Sequence, residues 1–107
     1  MNSNKQAKIN EAMNYVRLGN RGHINCIRLN SSCSDPHNIK IIELCSEYLR
    51  MGIPFVTECI FKDGSRCDIL LPATFEIIEV MVTETEERFK EKHYPGVFDV
   101  RKVKVTA

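Results

Sequence analysis

The chain predicts an α+β domain with one mixed sheet flanked by helices, and three observations carry that prediction. Apolar residues at helical spacing run to a glycine twice, over residues 3–18 before Gly19 and over 35–51 before Gly52. Three β-patterned runs then follow one another between residues 55 and 83, separated only by short breaks. A further helical stretch precedes a last alternating run, so the order reads helix, arm, helix, three-stranded meander, helix, strand. At 107 residues the chain suits one domain with one core, divided into a basic helix and arm over 1–34 and a main core over 35–107.

In the first helix, Ile9, Ala12, Met13 and Val16 form the apolar side. HINCIRLN (23–30) alternates and reads as a short strand or an extended arm. Asp35-Pro36 starts the second helix, because Asp accepts from first-turn amides and Pro at the first position gives up no needed donor. Its expected buried side is Ile41, Ile42, Leu44, Cys45, Tyr48 and Leu49, with His37, Lys40, Glu43 and Glu47 on a solvated side.

FVTECIF (55–61) is β-branched and aromatic, and Lys62-Asp63-Gly64 turns it into SRCDILL (65–71). A two-residue turn would set Cys59 opposite Asp68. A three-residue loop with Gly64 left-handed in a bulge sets Glu58 across from Asp68 and Cys59 across from Cys67, and it is the favoured reading. FEIIEVMVT (75–83) places Phe75, Ile77, Glu79 and Met81 on one face and Glu76, Ile78, Val80 and Val82 on the other. Thr83 and Glu86 form a capping-box pattern opening a helix that Pro95-Gly96 stops, and VFDVRKVKV (97–105) is expected as a strand near a sheet edge.

Glu58, Asp68 and Glu79 thus place one carboxylate on each of three successive strands. A carboxylate inside a β-run costs free energy unless something pairs it, and two facing carboxylates repel unless a cation lies between them. Convergence on a cation is one reading; a sheet with a solvated face is the other. If the acids do converge, removing one is expected to relieve repulsion in the metal-free protein and leave the fold intact or slightly stabilised.

Composition narrows the setting. No apolar run reaches the roughly 18 residues of a membrane span, and no secretory leader opens the chain, so a cytoplasmic protein is expected. The five cysteines contain no CxxC pair and suit reduced thiols; Cys26, Cys33 and His37 could make half of a zinc site, but a second half is missing. The net charge of +1 hides an asymmetry: Lys5, Lys8, Arg17, Arg21 and Arg28 face Glu11 alone in residues 1–34. A basic arm on an acidic body suits a polyanion beside a cation site, and a solvated helix of mixed charge explains it equally well.

The run HNIKIIELCSEYLRMGIPFVTECIFKDGSRCDILL, with its TE-x-x-F-x-x-G-x-R-x-D pattern, and the later EERFKEKHYP resemble the PD-(D/E)XK nuclease superfamily, in particular its small archaeal and viral members. The resemblance covers about residues 35–105. It implies a restriction-endonuclease-like α-βββ-αβ fold and metal-dependent hydrolysis of phosphodiester bonds in DNA or RNA. Asp68 and Glu79 would hold Mg²⁺ or Mn²⁺ with the Val80 carbonyl, and Glu58 and Glu43 match auxiliary acids for a second ion. Hard cations of this kind take oxygen ligands and clamp phosphate and water. Nucleic acid, DNA before RNA, is the implied partner, with Arg17, Arg21, Arg28, Lys40, Lys62 and Arg66 as candidate phosphate contacts; a homodimer is left open. The departure is Met81, which stands where the superfamily has its lysine. Either a displaced lysine acts, Lys92 before Lys40 or Lys62, or the chain is an inactive nuclease-fold module that binds nucleic acid or a partner protein.

Overall fold

The structure is a computed structural model, and it describes residues 3–17, 23–82 and 93–105. The described elements are α1 (Ser3–Met13), α2 (Asp35–Arg50), β1 (Val56–Ile60), β2 (Arg66–Leu71), β3 (Glu76–Val82) and β4 (Asp99–Val105). They form an α+β domain with one four-stranded mixed sheet in the order β1-β2-β3-β4. β1, β2 and β3 are antiparallel neighbours, and β4 joins β3 in parallel as the outer strand.

The helices differ from expectation at their ends and on one face. α1 stops at Met13 rather than near residue 18, because the chain turns at Asn14-Tyr15 and Val16 bridges to Phe61. The Gly19 stop lies outside the described residues. Ser34, not Asp35, caps α2, its side chain accepting from the His37 amide, and Gly52 ends the helix region at φ +71°. Ile41, Cys45 and Tyr48 are buried as expected, but Ile42 is 41% and Leu49 58% exposed. The core stripe of α2 is therefore the narrow row spaced four and three apart, and the flanking apolar residues fall outside it.

The hairpin follows the three-residue loop. Gly64 has φ +92°, and Cys59 pairs with Cys67, Thr57 with Ile69 and Val56 with Leu70. Residues 23–30 form no strand. They run as an arm along β1, with the Asn25 amide donating to the Phe55 carbonyl (2.7 Å) and the Arg28 amide donating to Thr57 Oγ1 (2.7 Å). The third helix expected from Thr83 falls on residues 83–92, outside those described.

Two apolar layers sandwich the sheet. Ala12, Val16, Val56, Cys59, Phe61, Cys67, Leu70, Ile77 and Phe98 fill one. Ile41, Cys45, Tyr48, Phe55, Ile69, Leu71, Ile78 and Val80 fill the other, beneath α2. Phe98 anchors the first layer through ring contacts with Tyr15, Phe61 and Phe75 at 5.6, 5.4 and 5.2 Å between centroids. Among the described residues no helix is long and apolar enough to cross a membrane.

Candidate functional site

The site begins where a regular ladder gives way. β2 pairs with β3 through Leu71–Glu76, Leu70–Ile77 and Ile69–Ile78, which would bring Asp68 opposite Glu79 next. There the backbone groups bond to side chains instead. The Asp68 amide donates to Glu79 Oε1 at 3.2 Å, and the Val80 amide donates to Asp68 Oδ2 at 2.8 Å. Each acid thus satisfies a neighbouring strand's amide, a charge-assisted bond that compensates part of the cost of burying it.

The β1–β2 pair is irregular at the same level. Period-two strands send residues three apart to opposite faces, yet Val56 and Cys59 enter the same apolar layer, and so do Cys67 and Leu70. Both strands slip phase at Glu58 and Asp68. Glu58 absorbs the slip in its backbone, with φ +48° between two normally paired neighbours. A left-handed glutamate costs about 1–2 kcal/mol, because its Cβ crowds the following carbonyl.

The slip and the broken ladder open a cavity of about 390 Å³ lined by Glu58, Asp68 and Glu79, together with Ser65, Arg66, Cys67, His93 and Tyr94. The three strand acids therefore line one space. Glu79 is the deepest at 2% exposure. The hydrogen bonds argue for a cost on removing Asp68 or Glu79 in place of the neutral or stabilising effect expected from repulsion alone, since each holds an amide that would be left without its acceptor.

His37, which the sequence offers only as part of a zinc half-site or of a solvated helix face, belongs instead with the acid pair: its Nε2 lies 3.3 Å from Asp68 Oδ2, with side-chain exposures of 14% and 18%. The hydrogen bond to Asp68 raises the His37 pKa above its ordinary 6.5, opposed by burial and assisted by the charges of Asp68 and Glu58. A signal was present: His37 sits four residues before Ile41, on the same helical row as Ile41, Cys45 and Tyr48. In the cavity lining, burial and then the Glu79 carboxylate push the Tyr94 phenol up, so it stays protonated. The Tyr94 hydroxyl is buried with no hydrogen-bond partner among the described residues. Burial, followed by contact with Cys59, likewise keeps the Cys67 thiol protonated.

A second cavity, of about 530 Å³, adjoins the first and shares Glu58 and Arg66 with it; Arg28, Leu29, Asn30, Ser31 and Ser32 complete its wall. Arg28 and Arg66 thus meet at one basin. The other expected contacts are elsewhere. Glu43 is exposed on α2 and pairs with Lys40 at 3.7 Å, outside the acid cavity, because its position on the helix turns it away from the row that carries His37. Arg17 and Lys62 are exposed where α1's following turn meets the hairpin, the Arg17 amide donating to Ile60 and the Lys62 amide to Tyr15. Val80 contributes its amide to Asp68. Lys92 and Arg21 lie outside the described residues. Met81 is 4% exposed, packed into the protein interior.

Among the described residues no three His, Cys, Asp or Glu side chains stand close enough together to share a metal ion, so Glu58, Asp68 and Glu79 line one cavity without converging on a single point, and Cys26, Cys33 and His37 form no site. The geometry defines an α+β domain with a paired-acid cavity at a break in its sheet. Comparison with protein-family models, with curated proteins and with solved structures yields no match for this chain.

Proposed function

We propose that the chain is a nuclease-type protein that binds a phosphodiester beside Mg²⁺ or Mn²⁺ held by Asp68 and Glu79. The observation that carries the reading is one cavity lined by carboxylates from three successive strands, opening onto an arginine-lined basin. The antiparallel meander followed by a parallel fourth strand agrees with the α-βββ-αβ order that the resemblance implies. A magnesium-type ion needs only one or two protein carboxylates, with waters and phosphate oxygens completing its shell. The Asp68–Glu79 pair fits that demand: both bonds shown for Asp68 fall on Oδ2, and the donor set is all oxygen. Glu58 stands as the auxiliary acid on the shared wall.

When bound, such an ion neutralises phosphate charge and lowers the pKa of a coordinated water. The chain's own groups set the geometry around it. His37 holds the Asp68 carboxylate from α2, and the Asp68 amide holds Glu79. Arg66 brings positive charge to the cavity wall, and the protonated Tyr94 hydroxyl can donate one hydrogen bond. Cys45, Cys59 and Cys67 are buried thiols, which suits a reducing compartment such as the cytoplasm.

Hydrolysis depends on a cation at the reacting centre, and Met81 supplies none. A second reading, binding without cleavage, is favoured by the burial of that thioether. Calorimetric Mn²⁺ titration tests the shared part: Asp68→Asn keeps an acceptor for the Val80 amide and should abolish binding. Unchanged affinity would remove the metal site. A plasmid and single-strand cleavage time course separates the two readings. If Lys92 acts, wild type cleaves, and Lys92→Ala slows it about a hundred- to a thousand-fold, the usual effect of one well-placed electrostatic group. If the module is inactive, Met81→Lys should raise cleavage above background. No cleavage by any of the three proteins leaves binding alone.

A further inference from the structure

The structure assigns the basin formed by Arg28, Arg66 and the Asn30–Ser32 loop as a subsite for a phosphate group of a nucleic-acid strand, working without a metal ion. Two arginines from distant parts of the chain line the same space, Arg28 on the arm and Arg66 at the start of β2. Neither belongs to an ion pair among the described residues, where the pairs are His37–Asp68, Lys40–Glu43 and Arg101–Glu76. Planar guanidinium groups take phosphate oxygens two at a time, and a pair of them matches the charge of a phosphate better than that of a neutral ligand.

The basin is built before any ligand arrives. Thr57 Oγ1 accepts from the Arg28 amide at 2.7 Å and donates to the Cys26 carbonyl at 2.9 Å, so one buried hydroxyl fixes the arm on both sides of Ile27. Further on, Asn30 Oδ1 accepts from the Ser32 amide (2.9 Å) and hydroxyl (2.6 Å), and Asn38 Nδ2 donates to the Asn30 carbonyl (3.2 Å). The loop is thereby tied to α2, and little ordering remains to be done on binding. Leu29 is the one apolar residue of the wall, so the basin suits a phosphate–sugar backbone rather than a base.

Glu58, on the wall shared with the acid cavity, is the group that opposes an anion here. Its removal should therefore tighten phosphate binding, the opposite sign from removal of either arginine. The position of the basin beside the acid cavity makes it the seat of a neighbouring phosphate of the same strand. That placement rests on the proposed function; the anion site itself does not.

The test is fluorescence anisotropy in EDTA with a 3′-labelled single-stranded oligodeoxynucleotide, with and without a 5′-phosphate. Arg28→Ala and Arg66→Ala should each weaken binding about tenfold or more, as expected for a lost charge-assisted contact. Arg50→Ala, which removes the same charge at the far end of α2, should weaken it much less, and Glu58→Gln should strengthen it. Loss with both oligonucleotides assigns an internal phosphate; loss confined to the phosphorylated one assigns a terminal phosphate. Equal losses for Arg28→Ala, Arg66→Ala and Arg50→Ala, or no loss in the first two while thermal unfolding shows them folded, would overturn the subsite. Because EDTA removes divalent ions, a failure here is separate from a failure of Mn²⁺ to bind.

Discussion

The β2–β3 pair has two halves that solve the same problem differently. From Ile69 to Leu71 the strands pair residue for residue, and the side chains they bury, such as Ile77 and Ile78, are apolar. One residue further, at Asp68 and Glu79, carboxylates take over as acceptors for backbone amides. In the first half stability comes from packing, and the one acid there, Glu76, is half-buried at the strand end and paired with Arg101. In the second, the acids splint strands that have parted, and the space so opened is the candidate site. The structural task and the ligand-binding task of the proposed function therefore fall on the same two side chains, and substitutions must be chosen to separate them.

The largest expected effect tests the packed half. Ile77→Ala should lower the urea-derived unfolding free energy by about 2–5 kcal/mol, the usual cost of emptying a fully buried branched side chain. In the splinted half, Glu79→Ala strands the Asp68 amide and should cost about 1–3 kcal/mol. Glu79→Gln keeps a carbonyl oxygen at that place and should recover most of it. If Glu79→Ala proves as stable as wild type, the side-chain bonds carry no weight and the two halves do not differ as described.

His37 sharpens the comparison through pH. Its pKa is raised in the folded protein, so its contribution is fully present below the unfolded value near 6.5 and fades as pH rises through the raised value. Denaturant midpoints should accordingly fall across that window, and His37→Gln should flatten the slope. A slope that persists in His37→Gln belongs to another group. The smallest effect is expected at Glu58: glycine accepts φ +48° freely but costs backbone entropy, so Glu58→Gly should change stability by at most about 1 kcal/mol, in the stabilising direction. A clear loss would mean that the Glu58 side chain makes its own stabilising contacts.

What the sequence disclosed follows from how local each cause is. Gly64 in a Lys-Asp-Gly loop is a local signal, and the register that brings Cys59 to Cys67 follows from it. The alternation that sends Ile77 to one layer and Ile78 and Val80 to the other is equally local. The end of α1 was not legible, because Val16 leaves the helix to bridge Phe61, a residue far along the chain. Ile42 and Leu49 are apolar but exposed, since the helix presents only one row to the sheet and composition cannot say how wide that row is. For the site, the three acids were visible as one residue per strand. The bond from His37 to Asp68 joins residues far apart in the chain, and the local pattern carries only the helical row that His37 shares with Ile41.

The parallel placement of β4 has a bearing on the order of assembly. The meander of β1, β2 and β3 closes through short connections, whereas β4 can pair with β3 only after the chain from residue 83 to 98 has crossed back. Pairings across long stretches carry a loop-closure penalty before any contact repays it and form slowly. His93 and Tyr94 lie on that returning segment and supply the last wall of the acid cavity. The carboxylates thus sit on strands joined by a short connection, while the enclosure around them depends on the pairing with the longest loop to close in the sheet.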